Sequence, residues 1–350
     1  MPLAPFAAAL ALMLGTAEPL LVRQPPEACR RVLGHLISVD GDNGRTTVVV
    51  NDAEHCLEVR ISGRVTFDDA DADVKSMDPG GALVATESRG GEVRTLTLVE
   101  RGGTIDRAYR VNGVVRPADE SAAWFGGVVL ALVRDAGFGA TERVARIRRQ
   151  GGVQAVLDEV RRIRSDHVRE MYLEALLAGS GLTAADIARV AHTATDLLGS
   201  DHEKAVVLLD VVERRGDDRA VADEVVRGAA TIGSDHERAN VLAAVLDRSA
   251  ATPVGAEFFR ALDAVGSDHE RRRVLEALAT RDSLGAETVR ALLASAARIG
   301  SDHEKAAVLL AIASRPERLR DAGSRAAFDA ALKSLGSDAE YRRVAGVLTR

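Results

Sequence analysis

Aromatic side chains are scarce in this chain, 3% of 350 residues, with a single Trp. A core without rings must be aliphatic, and the abundance of Ala, Leu and Val suits closely packed helices better than a large all-β body. Cysteine is rarer still: Cys29 and Cys56 are the only two, so at most one intramolecular disulfide can form. Basic charge is not in excess either. The net charge is −6, with 14 basic and 19 acidic groups in residues 1–140 and 32 and 33 in residues 141–350. Neither half is a nucleic-acid footprint. The apolar runs Phe6–Leu14 and Ala122–Val133 both fall short of the roughly 20 residues a membrane span needs. A Gly-rich phosphate loop, a Cys-x-x-Cys pair and a Gly-x-Ser-x-Gly elbow are all missing, so no motif names a cofactor or a catalytic residue. What remains is a chain long enough for two structural units.

At the amino terminus, Phe6–Leu14 is followed by Gly15, Thr16 and Ala17, small residues that a signal peptidase accepts. Residues 1–17 therefore read as a secretory signal, although no Lys or Arg precedes the run. Residues 18–44 read as a linker or amino-terminal segment. Export would permit a Cys29–Cys56 bridge. Cys56 opens an alternating stretch in which Leu57, Val59 and Ile61 share one face, which puts Cys56 on the other, outer face.

Residues 45–138 contain short Val-, Thr- and Ile-rich runs separated by Asp-Pro-Gly-Gly and Arg-Gly-Gly turns. That is the pattern of consecutive antiparallel hairpins, closed by a helix from about Ala118 to Asp135. Asp68, Asp69, Asp71 and Asp73 form the most metal-like cluster in the chain, since alternating carboxylates can converge on a hard cation. Asp69, Asp71 and Asp73 are the weak candidates, but Val74 and Gly80 stand where a calcium loop needs Gly and Glu. A solvated acidic loop is the better reading, and no metal or other cofactor is expected.

Residues 139–350 are dominated by a Ser-Asp-His-Glu-like tetrapeptide whose Ser recurs at 165, 200, 234, 267, 301 and 337. A period near 34 is that of a two-helix repeat. Counting from each Ser as zero, positions +7, +8 and +11 are apolar, as are −2 and −9, so each Ser sits between two helices with inward stripes. Gly at −1, present in all copies but the first, suits a left-handed helix end. Ser200 with Glu203, Ser234 with Glu237, Ser267 with Glu270 and Ser301 with Glu304 have capping-box spacing. The histidines at +2 (His167, His202, His236, His269 and His303) should lie too far apart for any two to share one ion, being on successive packed helices. They are expected to pack between repeats, bonded to Asp or backbone groups. At +4, Arg169, Lys204, Arg238, Arg271 and Lys305 form a basic ladder. It reads either as pairing with Asp at +1 or as an interaction stripe for an acidic partner.

The two-helix period resembles tetratricopeptide and HEAT-type solenoids, without the tetratricopeptide Trp, Leu-Gly, Tyr and Pro signature. Leu57–Phe67, the turn Asp78-Pro79-Gly80-Gly81 and the Ser-Asp-His-Glu-like repeats resemble a group of exported bacterial proteins, and regions that follow the peptidase part of some β-lactamase-sensor-type membrane proteins. No peptidase motif accompanies them, so no catalytic residue is carried over. The expectation is an α+β protein: a small antiparallel β unit and a solenoid of about six repeats. It would be exported to the periplasm or beyond and act without catalysis as a scaffold for a protein or envelope component. Nucleic acid is not an expected partner, and the mature chain is expected to have no transmembrane span. The competing expectation is an enzyme or small-ligand binder with its site near Asp68–Asp73 and Trp124, where the β unit meets the first repeats.

Overall fold

The computed structural model describes residues 34–40, 44–51, 55–248, 254–282 and 284–348. The fold is α+β, an antiparallel sheet followed by a helical solenoid, and the chain divides into two compact units between Leu130 and Ala131. The boundary falls inside the closing helix rather than after it. The predicted signal, with Phe6–Leu14, and Cys29 lie outside the described residues.

The first unit carries β1 (Gly34–Asp40), β2 (Arg45–Asn51), β3 (His55–Ser62), β6 (Ala82–Arg89), β7 (Glu92–Arg101), β8 (Thr104–Val111) and β9 (Val114–Arg116) in one sheet of that order, every neighbouring pair antiparallel. The sheet thus begins within the segment read as a linker, because Gly34–Asp40 pairs along its whole length with β2. A separate small hairpin joins β4 (Val65–Phe67) to β5 (Val74–Met77). The β8–β9 turn is Asn112-Gly113 with φ of 50° and 80°, the conformation a two-residue hairpin turn demands. Leu57, Val59, Ile61, Leu83, Ala85, Leu96 and Leu98 are buried and fill one face of the sheet, as their alternation predicts. Cys56 lies on the face opposite Leu57, Val59 and Ile61, as expected, but it is covered there, 7% exposed, and it is disulfide-bonded. A short 3-10 turn at Ala118–Ser121 leads into α1 (Ala122–Arg134).

The second unit is helical. α2 (Ala140–Val160) is broken at Gly152, whose φ of 72° lies outside helical space. Two layers follow. The motif layer holds α3 (Asp166–Leu177), α5 (Asp201–Arg215), α7 (Asp235–Arg248), α9 (Asp268–Thr280), α11 (Asp302–Ala313) and α13 (Asp338–Leu348). The partner layer holds α4 (Ala184–Leu197), α6 (Arg219–Ala229), α8 (Ala256–Asp263), α10 (Ala286–Ala297) and α12 (Ala322–Lys333). Each helix packs on its sequence neighbour and on the next helix of its own layer, which is a solenoid's connectivity. The predicted stripes are the core: Ile163, Leu198, Ile232, Val265, Ile299 and Leu335 at −2 are buried, as are Tyr172, Val207, Val241, Val274, Val308 and Val344 at +7. The stripe lapses only in the last motif helix, where Leu348 at +11 is 42% exposed.

Candidate functional site: the repeat corner and the opposite edge

The tetrapeptide lies at the corner where a partner-layer helix ends and a motif helix begins. Ser at position zero is the helix N-cap with extended backbone, and its Oγ accepts from the backbone N–H three residues on at Ser165, Ser234, Ser267, Ser301 and Ser337, at 3.3–3.4 Å. The expected boxes at Ser234, Ser267 and Ser301 are only half formed, and at Ser200 the hydroxyl makes no cap bond but donates to Glu203. The return bond, from the Ser N–H to Glu at +3, is absent, because that N–H is spent elsewhere.

The N–H goes to the Asp of the preceding repeat. Asp201 accepts from Gly233 N at 2.9 Å and from Ser234 N at 2.7 Å. Asp166 does the same for Gly199 and Ser200, Asp235 for Gly266 and Ser267, and Asp268 for Gly300 and Ser301, all at 2.8–3.1 Å. This carboxylate clamp also explains the glycine. None of Gly199, Gly233, Gly266, Gly300 and Gly336 has positive φ, so the expected left-handed helix end is wrong. A Cβ there would instead come 3.0–3.3 Å from the clamping Asp Oδ2 of the repeat before. The glycine makes room for a carboxylate.

His at +2 and Glu at +3 form a second tie in the same direction. His202 Nδ1 lies 3.2 Å from Glu237, His236 3.0 Å from Glu270, His269 3.7 Å from Glu304 and His303 3.3 Å from Glu340. These rings are not packed away between repeats as expected; their side chains are 60–71% exposed and form a row along the corner edge. The bond from Glu237 holds the His202 pKa above the ordinary imidazole value. Burial pushes the Glu270 carboxyl up, but the bonds from His236 and Arg273 and their charges carry it below its usual value.

The basic ladder is not a surface. Lys204, Arg238, Arg271 and Lys305 are only 5–8% exposed. Arg169 Nε donates to the Ile163 carbonyl at 2.9 Å and its Nη1 to that of Leu197 at 2.6 Å. Arg238 reaches the carbonyls of Ile232 and Ala264, and Arg271 those of Val265 and Asp263. Lys204 donates to Thr231 Oγ1 and Lys305 to the Ser334 carbonyl and hydroxyl. The backbone carbonyls among these acceptors lie at the ends of α2, α4, α6, α8 and α12, where they lack intrahelical donors and carry the negative end of the helix dipole. A cation beside the positive end of its own helix is therefore repaid at the negative ends of its neighbours. Of the expected Asp pairings, only Arg169 with Asp166 forms, at 2.9 Å. The reading of these five residues as an interaction stripe is corrected: they are internal helix caps.

The acidic loop is likewise turn-building. Asp68 Oδ1 accepts from Ala72 N at 2.8 Å, Asp73 pairs with Arg107 at 2.9 Å and Asp69 with Lys75 at 3.5 Å, while Asp71 is buried at φ 54°. Among the described residues, Asp69, Asp71 and Asp73 do not bring their oxygens together as a metal-holding group; His167, Glu170 and Glu203 do. Trp124 donates its Nε1–H to Glu87 Oε2 at 2.6 Å, and Glu87 Oε1 lies 2.8 Å from His55.

Sequence reasoning missed a buried ion cluster at the start of the solenoid. Glu159, 5% exposed, receives Arg134 at 2.6 Å and Arg143 at 2.8 Å. Burial raises the Glu159 carboxyl, yet the two guanidiniums bring it below its ordinary value. Arg143 also donates to the hydroxyl of Tyr172 at 3.0 Å, and Tyr172 donates to the Val133 carbonyl at 2.8 Å. Tyr at a +7 position that is otherwise Val was the signal for it.

At the opposite edge, motif helices return to partner helices and nothing is repeated. Thr183 and Asp186 make a complete capping box, Asp218 and Asp321 cap through their carboxylates, and Gly255 and Gly285 cap without a side chain. On this edge a cavity of about 250 Å³ opens, with a floor that includes Val226, Leu246 and Phe258 and a rim that includes Arg219, Asp223 and Glu257. No protein-family model, curated protein or solved structure matches this chain.

Proposed function

We propose that the protein is a non-enzymatic interaction scaffold, exported to the bacterial envelope, that holds a protein or envelope component on its solenoid. The observation that carries this reading is the division of labour between the two edges. The corner edge spends its backbone donors, carboxylates and cations on joining repeats, whereas the returning edge varies in cap and helix length and opens the apolar-floored cavity. Extended, uneven surfaces on a rigid stack suit recognition of another macromolecule. The resemblance of Leu57–Phe67 and the tetrapeptide repeats to exported bacterial proteins supports the compartment.

The test joins compartment and surface. The mature chain should begin near Glu18, and recovery of intact Met1 in the cytosol would reject export. Crosslinking in the envelope followed by mass spectrometry should place partner contacts on the returning edge. Reversing the rim charges, Asp223→Arg with Glu257→Arg, should abolish those crosslinks with the melting temperature preserved. Crosslinks that persist in this variant refute binding at that edge.

A further inference from the structure

We propose that His167, Glu170 and Glu203 form a binding site for one divalent transition metal of the zinc class. The ligand atoms of the three side chains lie within 4.8 Å of one another, and His167 Nδ1 to Glu170 Oε2 is 3.2 Å. Two ligands about 2.0–2.1 Å from a tetrahedral zinc are about 3.3 Å apart, so this pair already has the separation of a coordination edge.

Comparison with an equivalent joint of the same solenoid gives the independent argument. Glu170 stands at +5 of its motif and Glu203 at +3 of the next; three repeats further on, the same places are held by Arg272 and Glu304. There Arg272 pairs directly with Glu304, and His269 Nδ1 lies 3.5 Å from Arg272 and 3.7 Å from Glu304. That joint carries its own cation. In the first joint a carboxylate replaces the guanidinium, so two acidic groups and an imidazole meet where the other joint has an Arg, and a bound cation would take the guanidinium's place. The Glu170 and Glu203 side chains are largely covered, and the Ser200 hydroxyl donates to Glu203 Oε2, which orients that carboxylate. One nitrogen and two carboxylate oxygens, with water completing the shell, are a zinc-type donor set; calcium takes oxygen ligands only. Glu170 sets this joint apart, since Ala205, Ala239 and Ala306 hold the +5 position in other repeats.

The full chain, stripped with chelator, should be titrated with Zn²⁺ by calorimetry, with metal content measured after dialysis. One zinc per chain is expected. His167→Gln should weaken binding at least about tenfold, and Glu170→Arg, which copies the solution found at Arg272, should abolish it while preserving the melting profile. Should Glu170→Arg fail to fold, Glu170→Gln must show the loss instead. His236→Gln, at a joint with one His and one Glu, should bind as wild type. Absence of stoichiometric zinc, equal binding by the His167 and Glu170 variants, or displacement of zinc by equimolar Ca²⁺ would each overturn the assignment.

Discussion

The two edges of the solenoid solve the same problem, turning one helix into the next, in opposite ways. At the corner edge the turn is short and its Asp and most of its His side chains have an address in the neighbouring repeat: Asp201 in Gly233 and Ser234, His202 in Glu237. At the returning edge each turn is settled locally, by Thr183 with Asp186, by Asp218 or by nothing more than Gly255. Regularity at one edge is enough to set the stack, so the other edge is free to vary. A strict sequence period therefore marks where the repeats hold one another, and the other edge is released from that constraint.

The sharpest way to break this contrast is Arg238→Glu. A carboxylate would be buried against the carbonyls of Ile232 and Ala264, and a loss of about 4 kcal/mol or more is expected in denaturant unfolding. Asp201→Ala comes next. It leaves two N–H groups without their charged acceptor, for a loss of about 3 kcal/mol, and hydrogen exchange at Gly233 and Ser234 should accelerate with it. Ser234→Ala should cost about 1 kcal/mol, since the N–H of Glu237 loses one acceptor while the clamp stays.

A subtler probe is pH. Because Glu237 raises the folded pKa of His202, its contribution to stability is fully present below the unfolded imidazole pKa of about 6.5 and is lost as pH rises through the folded value. The stability difference between wild type and His202→Gln should therefore shrink on going from mildly acidic to mildly alkaline buffer. A constant difference would show that the tie does not depend on proton uptake. The smallest effect belongs to the other edge. Gly285 is an N-cap with extended backbone and no side-chain bond, so Gly285→Ser should stabilise by a few tenths of a kcal/mol without disturbing any neighbour.

The repeat, its period, its inward stripes and the Ser caps were legible because they are properties of a single helix: apolar residues at helical spacing and an oxygen before the first turn. The destinations of Asp, His, Glu and the +4 cation were not, because reading one helix at a time pairs residues three or four apart, whereas these side chains cross to a neighbouring helix end, most of them roughly a whole repeat away and the Arg residues also to carbonyls six to eight residues back. One signal was present and unused. The first motif has Arg164 in place of Gly and Val168 in place of Glu, and the segment before it carries no Ser-Asp-His motif to supply the Asp and His that would need them. In the β unit the hairpins were read from alternation and turns. Gly34–Asp40 escaped although Asp40-Gly41-Asp42-Asn43-Gly44 marks a turn after it, because its own run is short on Val, Thr and Ile and its pairing with the partner strand decides it.

The carboxylate clamp has a direction, and direction governs how such an array can change length. Each interior repeat gives an Asp and a His forward and offers a Gly-Ser pair and a Glu backward, so copying an interior unit, such as residues 234–266, inserts matched faces on both sides and needs no new interface. Growth by internal duplication is thus structurally inexpensive. A unit copied ahead of the first motif would not match in this way, because Arg164 and Val168 occupy the receiving positions there and supply neither the Gly nor the Glu.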